Sequence, residues 1–261
     1  MTATIILDSI NPNGVRLTTV EMTYHHFIHA HWMTYRTLTR SSGSSRAIPI
    51  EKTIQRVKDD IAFPFKFGAA QKGMESGPEI EDVEQARLVW QEAAEDAITH
   101  AERLKNLGVH KEVVNRLLEP FMWHTVLFTA TSFDHLIRQR VELRGAQEEI
   151  RHPATELREA LQNSTPTRLA WGEWHIPYLT EVDDVWALDA RLKLSAARCA
   201  RVSYLNHGGE SNAEDDFRLA NYLIEQEHMS PLEHQAQASL NAAPSNFVGG
   251  WHQFRKNYEL A

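Results

Sequence analysis

The spacing of apolar residues changes period at His25, and the elements on either side follow from that. Thr4 to Leu7 is a short apolar run, the turn-former Asn11-Pro12-Asn13-Gly14 comes next, and Val15 to Tyr24 is rich in branched residues, so this segment predicts two strands joined as a hairpin. His25-His26-Phe27-Ile28-His29-Ala30-His31-Trp32-Met33 suits a helix better. Pro49 and Ile50 open a short helix through Lys58, and Phe63 to Pro78, rich in Gly and Pro, reads as a surface loop. Glu79 to Leu107 is the clearest helix, closed by Gly108. Val109 to Val141 is expected to continue as helix with a break at Pro120, and Ala146 to Gln162 to form a third helical run interrupted by Pro153. Thr165 to Leu179, with Trp171, Trp174, Pro177 and Tyr178, reads as a packed loop or linker, before helical signals return at Asp184 to Val202 and Ala213 to Glu227. The middle of the chain is thus expected to be largely helical, and no tandem repeat or low-complexity tract interrupts it.

Composition narrows the class. A chain of 261 residues with 42% hydrophobic and 24% charged residues can bury a full core without covalent staples. The net charge of -8 argues against a sequence-independent nucleic-acid binder, so any phosphate site must be local. Arg16, Arg36, Arg40, Arg46, Lys52, Arg56 and Lys58 supply such a locality. The single cysteine, Cys199, excludes an internal disulfide and a thiolate zinc cluster within one chain, and suits a reducing cytoplasm. The N-terminus lacks a basic region followed by an apolar stretch, and no run of apolar residues is long enough to cross a bilayer; the expectation is a cytoplasmic protein that binds no membrane.

The densest candidate chemistry lies in Tyr35-Arg36-Thr37-Leu38-Thr39-Arg40-Ser41-Ser42-Gly43-Ser44-Ser45-Arg46, where three arginines and six hydroxyls surround one glycine. Guanidinium forks match phosphate, and hydroxyls with free N–H groups near a glycine complete an oxyanion cradle; the plainer alternative is a solvated basic loop. His25, His26, His29 and His31 carry no Asp or Glu among them, so imidazoles facing a ligand are preferred to a metal site. In His228-Met229-Ser230-Pro231-Leu232-Glu233-His234, Pro231 breaks the continuous helix that a metalloprotease motif needs. Arg198, Arg201, Ser203 and Tyr204 form a further group, and Glu148-Glu149-Ile150-Arg151-His152 sets an arginine on a helix; each taken singly reads as a surface ion pair.

Together these clusters resemble one family. Arg36-x-x-Thr39-x-x-x-x-Ser44-x-Arg46 resembles the arginine signature of the flavin-dependent thymidylate synthases. Ala200-Arg201-Val202-Ser203-Tyr204, His228-x-Ser230-Pro231-x-Glu233-His234 and Gln147-Glu148-Glu149-Ile150-Arg151 resemble its other motifs. Their order is similar to a circularly permuted branch of actinobacteria and their phages, in which Ser45-Arg46-Ala47-Ile48-Pro49 and Leu117-Leu118-Glu119-Pro120-Phe121-Met122-Trp123-His124-Thr125 recur. The chain also looks similar to the ribonucleotide-acting branch, the UMP C5-methylases of peptidyl-nucleoside antibiotic pathways.

The resemblance implies an α/β (α+β) fold, a mixed central sheet with a large helical subdomain at about 79–163, in one domain spanning 1–261. It implies a homotetramer with shared active sites, FAD as cofactor, methylenetetrahydrofolate and NADPH as cosubstrates, and a uracil nucleotide, UMP or dUMP, as substrate. Carried over residue by residue, Tyr35, Arg36, Thr39, Ser203, His228, Ser230, Glu233 and Arg140 would hold FAD, and His31, Ser44, Ser45, Arg46, Arg116 and His124 the nucleotide. Arg151 would be catalytic, its guanidinium stabilising negative charge on the pyrimidine as C5 becomes nucleophilic, so no cysteine nucleophile is required. Thr34 and Tyr35 stand where the signature has Arg and His, and Thr39 where it has Ser. These departures fit a specialised member better than a housekeeping enzyme; the alternatives are an ordinary dUMP-methylating synthase and, suggested by Thr34 and Tyr35, a non-catalytic nucleotide-binding protein on this fold.

Overall fold

The computed structural model describes residues 2–143, 145–202 and 212–259. Its main sheet holds β1 (Thr2–Ile10), β2 (Arg16–His25), β3 (Thr39–Ser42), β4 (Trp123–Ala130) and β5 (Thr167–Arg168), in the order β3-β4-β2-β1-β5. The expected hairpin is β1 and β2, antiparallel from Thr2↔Thr23 to Ile10↔Arg16 with a bulge between Ile5 and Leu7. Asn11 closes its turn, Oδ1 accepting from the N–H of Asn13 at 3.1 Å and of Val15 at 3.0 Å, while Gly14 takes φ +76°, where a side chain would be strained. β5 joins β1 in parallel, so the sheet is mixed. A smaller antiparallel sheet holds β6 (Trp174–His175), β7 (Ala236–Ala238) and β8 (Trp251–Gln253).

The α-helices of the described residues are α1 (His29–Trp32), α2 (Ile50–Asp59), α3 (Val83–Asn106), α4 (Lys111–Val114), α5 (Asp134–Ile137), α6 (Glu148–Asn163), α7 (Leu188–Ala200) and α8 (Ala213–Glu225). The architecture is therefore α/β. Ile150, Ala154 and Leu157 form the apolar stripe of α6 and pack with Met22, Tyr24, Val126 and Phe128 of the sheet and Trp32 of α1. Burying each large apolar side chain of this kind stabilises the fold by about 1.5–3 kcal/mol. A second cluster sets Ala94, Ile98 and Ala101 of α3 against Ile54 and Val57 of α2 and against Val114 and Leu118.

Three expectations fail. Val109 to Val141 is not helical throughout: after α4 and two 3-10 turns, Trp123 to Ala130 is β4, bonded to β2 and β3 on either side. Its sequence, Trp-His-Thr-Val-Leu-Phe-Thr-Ala, is rich in aromatic and branched residues, and burial on both faces hides the alternation that marks a strand. The basic loop is a strand over Thr39–Ser42. Pro153 does not interrupt α6, because near the first turns it removes only the bond to the Glu149 carbonyl.

Candidate functional site

β3 brings two clefts together. From Thr39 to Ser42 residues alternate between fully and half buried, as a pleated strand requires, and Gly43, Ser44 and Ser45 continue past its end. Gly43 and Ser45 line a first cleft of about 540 Å³ with His26, His124, Arg56 and Asp60. Ser42 and Ser44 line a second of about 830 Å³ with Arg40, Arg201, His228 and Ser230.

The first cleft is walled by uncharged imidazoles. The rings of His26 and His124 stack with centroids 4.3 Å apart, and His29 meets His124 edge-on at 4.5 Å. Burial, helped by Arg116, pushes His26 down to about 4; burial, His26 and Arg40 do the same to His29. Burial, reinforced by His26 and His29, drives His124 to about 2. All three are neutral at pH 7. Among the described residues the buried Nδ1 of His26 and Nε2 of His124 have no hydrogen-bond partner, whereas Tyr24 Oη lies 2.9 Å from His29 Nδ1. No group of His, Cys, Asp or Glu among the described residues could hold a metal ion.

The second cleft is built on two polar networks. Beside it, Thr39 Oγ1 donates to Glu233 Oε2 at 3.4 Å and accepts from Asn246 Nδ2 at 2.9 Å and Gln253 Nε2 at 3.3 Å. Glu233 sits in the 3-10 turn Ser230–Glu233 that Pro231 enforces, and its carboxylate pairs with Arg255. Arg255 is thus engaged with both Glu233 and Glu259. The other network ties α7 to α8. Asp216 accepts from Arg201 at 2.6 Å and from Arg198 at 3.2 Å, and Arg198 also clasps Asp183 at 2.6 and 2.9 Å. Hydrogen bonds from Arg198 hold the Asp183 carboxyl down at about 2. Arg198 is half-buried and engaged with two buried carboxylates, not the surface ion pair that its sequence suggests.

Behind Ser41 runs an unbroken line of buried side chains. Ser41 Oγ lies 3.0 Å from His234 Nε2, His234 Nδ1 2.8 Å from Thr129 Oγ1, and Thr129 Oγ1 2.7 Å from Thr19 Oγ1. Thr19 Oγ1 lies 2.8 Å from His175 Nε2, and His175 Nδ1 2.9 Å from Ser9 Oγ. Burial pushes both histidines down to about 3.

The structure divides the residues that the motifs single out. Ser45 and His124 line the first cleft; Ser44, His228 and Ser230 line the second; Thr39 and Glu233 are bonded beside it. Tyr35 is buried in the core, donating to Gln139 Oε1 at 3.0 Å and accepting from Arg140 Nε at 2.7 Å. His31, Arg36, Arg46 and Arg116 are exposed and line neither cleft, Arg116 pairing with Glu119 at 2.7 Å. Arg151, half-buried on α6, donates to the Ala146 carbonyl at 3.2 Å while its Nε lies 3.7 Å from Glu148 Oε1, and it too lines neither cleft. Ser203 lies outside the described residues. Sequence reasoning passed over His26, Arg56, Arg40, Ser41 and Ser42 as individual ligands. A period-two reading of Thr39 to Ser42 sets Arg40 and Ser42 on one face of the strand and Ser41 on the other.

No family model matches this chain, and no curated protein matches it. Solved structures do. One is a UMP/dUMP methylase from Streptomyces cacaoi bound with 5-Br dUMP, at 18% identity and TM-score 0.42, over 56% of this chain and 65% of that one. The same methylase bound with 5-Br UMP matches at 18% identity and TM-score 0.45, over 56% and 69%. A flavin-dependent thymidylate synthase from Helicobacter pylori complexed with FAD and dUMP matches at 14% identity and TM-score 0.41, over 56% and 67%. This chain therefore spans less than two thirds of the first of these structures. Likenesses of this strength carry no argument about activity, which rests on the residues themselves.

Proposed function

We propose that this chain carries out flavin-dependent C5-methylation of a uracil nucleotide, UMP to 5-methyl-UMP, with methylenetetrahydrofolate as carbon donor and NADPH as reductant, and with dUMP as the alternative substrate. The observation that carries this reading is the sharing of one loop by two clefts, Gly43 and Ser45 on one and Ser42 and Ser44 on the other, so that two ligands would meet across it. The hydroxyls and cation of the second cleft fit an anionic nucleotide cofactor, since the half-buried Arg40 has no carboxylate partner among the described residues. Bound FAD supplies the two-electron chemistry that turning a methylene into a methyl group requires.

On this reading His228, Ser230, Glu233 and Thr39, with Tyr35, Arg36, Arg140 and Ser203, hold FAD, and Ser44, Ser45 and Arg46, with His31, Arg116 and His124, hold the nucleotide. Arg151 stabilises negative charge on the pyrimidine oxygen. A cysteine nucleophile has no place in it: Cys199 is fully buried, and burial pushes its thiol well up. The exposed His31, Arg36, Arg46 and Arg116 then act in sites completed by other subunits of a homotetramer. The test is purification followed by parallel assays of UMP and dUMP with methylenetetrahydrofolate and NADPH. Failure to bind FAD at micromolar concentration overturns the proposal, and the ratio of rates assigns the substrate.

One observation favours a second reading, nucleotide binding without catalysis. Tyr35, at the position where the signature has histidine, is packed in the core and bonded to Gln139 and Arg140. That reading predicts nucleotide binding with no methylation under the same assay.

A further inference from the structure

The line of side chains behind Ser41 has one consistent direction. Every internal member, His234, Thr129, Thr19 and His175, has one proton to give and bonds on both sides. The proton of one end hydroxyl must therefore point inward, and the proton of the other end must find an acceptor elsewhere. Ser9 is 2% exposed, and His175 is the sole partner of its hydroxyl among the described residues. A proton turned away from His175 there would be buried unpaired, at the full desolvation cost of the group. Ser41 is 7% exposed but lines the second cleft, where a ligand atom can receive its proton.

We propose that Ser9 donates to His175 Nδ1 and that the chain is thereby polarised toward the cleft, making Ser41 an oriented hydroxyl donor in a subsite for a phosphoryl oxygen. His175 Nε2–H then donates to Thr19, Thr19 to Thr129, Thr129 to His234 Nδ1, and His234 Nε2–H to Ser41 Oγ. The Ser41 proton is left for the ligand. Both imidazoles are neutral, so neither can supply a second proton that would undo this order.

The acceptor is assigned as anionic on separate grounds. Two cations line this cleft beside Ser41. Arg201 is matched by Asp216 at 2.6 Å, whereas Arg40 bonds only to the Leu38 carbonyl, at 3.3 Å, among the described residues. A half-buried guanidinium without a carboxylate partner among the described residues, lining the same cleft as an oriented hydroxyl, recognises a phosphoryl oxygen, the guanidinium by charge and the hydroxyl by direction. His234 and Thr129 are positioning residues: they do not reach the ligand but fix which way Ser41 faces. The subsite deepens the flavin-cleft reading by naming the group that meets β3, and holds for any ligand bearing a phosphoryl group.

Long-range proton–nitrogen NMR of the histidine side chains in the ligand-free full chain, followed by titration with inorganic pyrophosphate, tests this. His175 and His234 are expected as Nε2–H tautomers. Ser41→Ala is expected to weaken pyrophosphate about tenfold. Thr129→Val, which keeps Ser41 but releases His234 Nδ1, should weaken it less and yield mixed His234 tautomers. An Nδ1–H tautomer at either histidine, no pyrophosphate binding to the wild type, or unchanged affinity in Ser41→Ala overturns the proposal. If Ser41→Ala does not fold, the wild-type tautomers alone decide. A wild type that holds pyrophosphate at Ser41 but binds no FAD removes the flavin reading and leaves the subsite standing.

Discussion

On one side of the β3 loop, Gly43 and Ser45 face a cleft walled by the neutral His26 and His124 and bordered by Asp59 and Asp60; on the other, Ser42 and Ser44 face one that holds Arg40 and a serine backed by five consecutive hydrogen bonds. A stretch that reads in sequence as one oxyanion cradle thus distributes its hydroxyls between two unlike surroundings. The first suits groups that exchange neutral hydrogen bonds, such as a pyrimidine amide or a sugar hydroxyl, because its imidazoles carry no charge and Arg56 shares its wall with Asp59 and Asp60. The second suits an anion. The imidazoles differ as well: His26 and His124 of the first cleft each bury a nitrogen with no partner among the described residues, while His234 and His175 are bonded through both.

The largest effect expected is common to both sides. His26, His29, His124, His175 and His234 all have folded values far below the unfolded value of 6.5. Below pH 6.5 the unfolded chain takes up protons that the folded one refuses, so this contribution is complete above 6.5 and is lost as pH falls toward 4 and lower. Each imidazole costs up to about 1.4 kcal/mol per pH unit across that window. The carboxylates enter later, since Asp183 moves from 3.8 to about 2 on folding. A urea midpoint that stays constant between pH 6.5 and 4.5 would show that these rings are wetter than they look. Next in size is Asp216→Ala, which strips Arg198 and Arg201 of a shared buried carboxylate and should cost about 3–5 kcal/mol. It should also weaken ligands of the second cleft more than those of the first, because Arg201 lines only the second.

How much of this was legible depends on which residues carried a local signal. The β1–β2 hairpin, α2, and α3 with its Gly108 stop could be read from turn chemistry and periodicity, because their burial is one-sided. β4 could not, since a strand buried on both faces shows no alternation, and Pro120 just before it mimicked a helix break. The motif residues were legible as a set, and the structure gathers Ser44, His228 and Ser230 from positions far apart in the chain. Their division between two clefts was not, because it follows from the pairing of β3 with β4, from Thr39↔Thr129 to Ser42↔Val126. The line from Ser41 to Ser9 was invisible for the same reason: its members come from five separate strands and one loop, and only register aligns them.

The smallest effects sharpen the contrast between the histidines. His234→Ala removes a ring bonded at 3.0 Å to Ser41 and at 2.8 Å to Thr129, leaving the fully buried Thr129 hydroxyl short of a partner and Ser41, at the cleft, without its backing ring. Each buried hydroxyl left unsatisfied costs about 1–3 kcal/mol. His124→Phe should behave differently. Its Nε2 is already buried without a partner among the described residues, so the folded protein carries a desolvation cost that an apolar ring would not have. An aromatic ring of similar shape keeps the stacking on His26 and the edge contact with His29. The expected change is within about 1 kcal/mol of zero and can be favourable, because the replacement trades an orphaned nitrogen for carbon. Chemical denaturation of the two variants side by side reads the difference. A loss at His124→Phe equal to that at His234→Ala would mean that the His124 ring makes a hydrogen bond in solution, and the contrast between the imidazoles of the two clefts would fall.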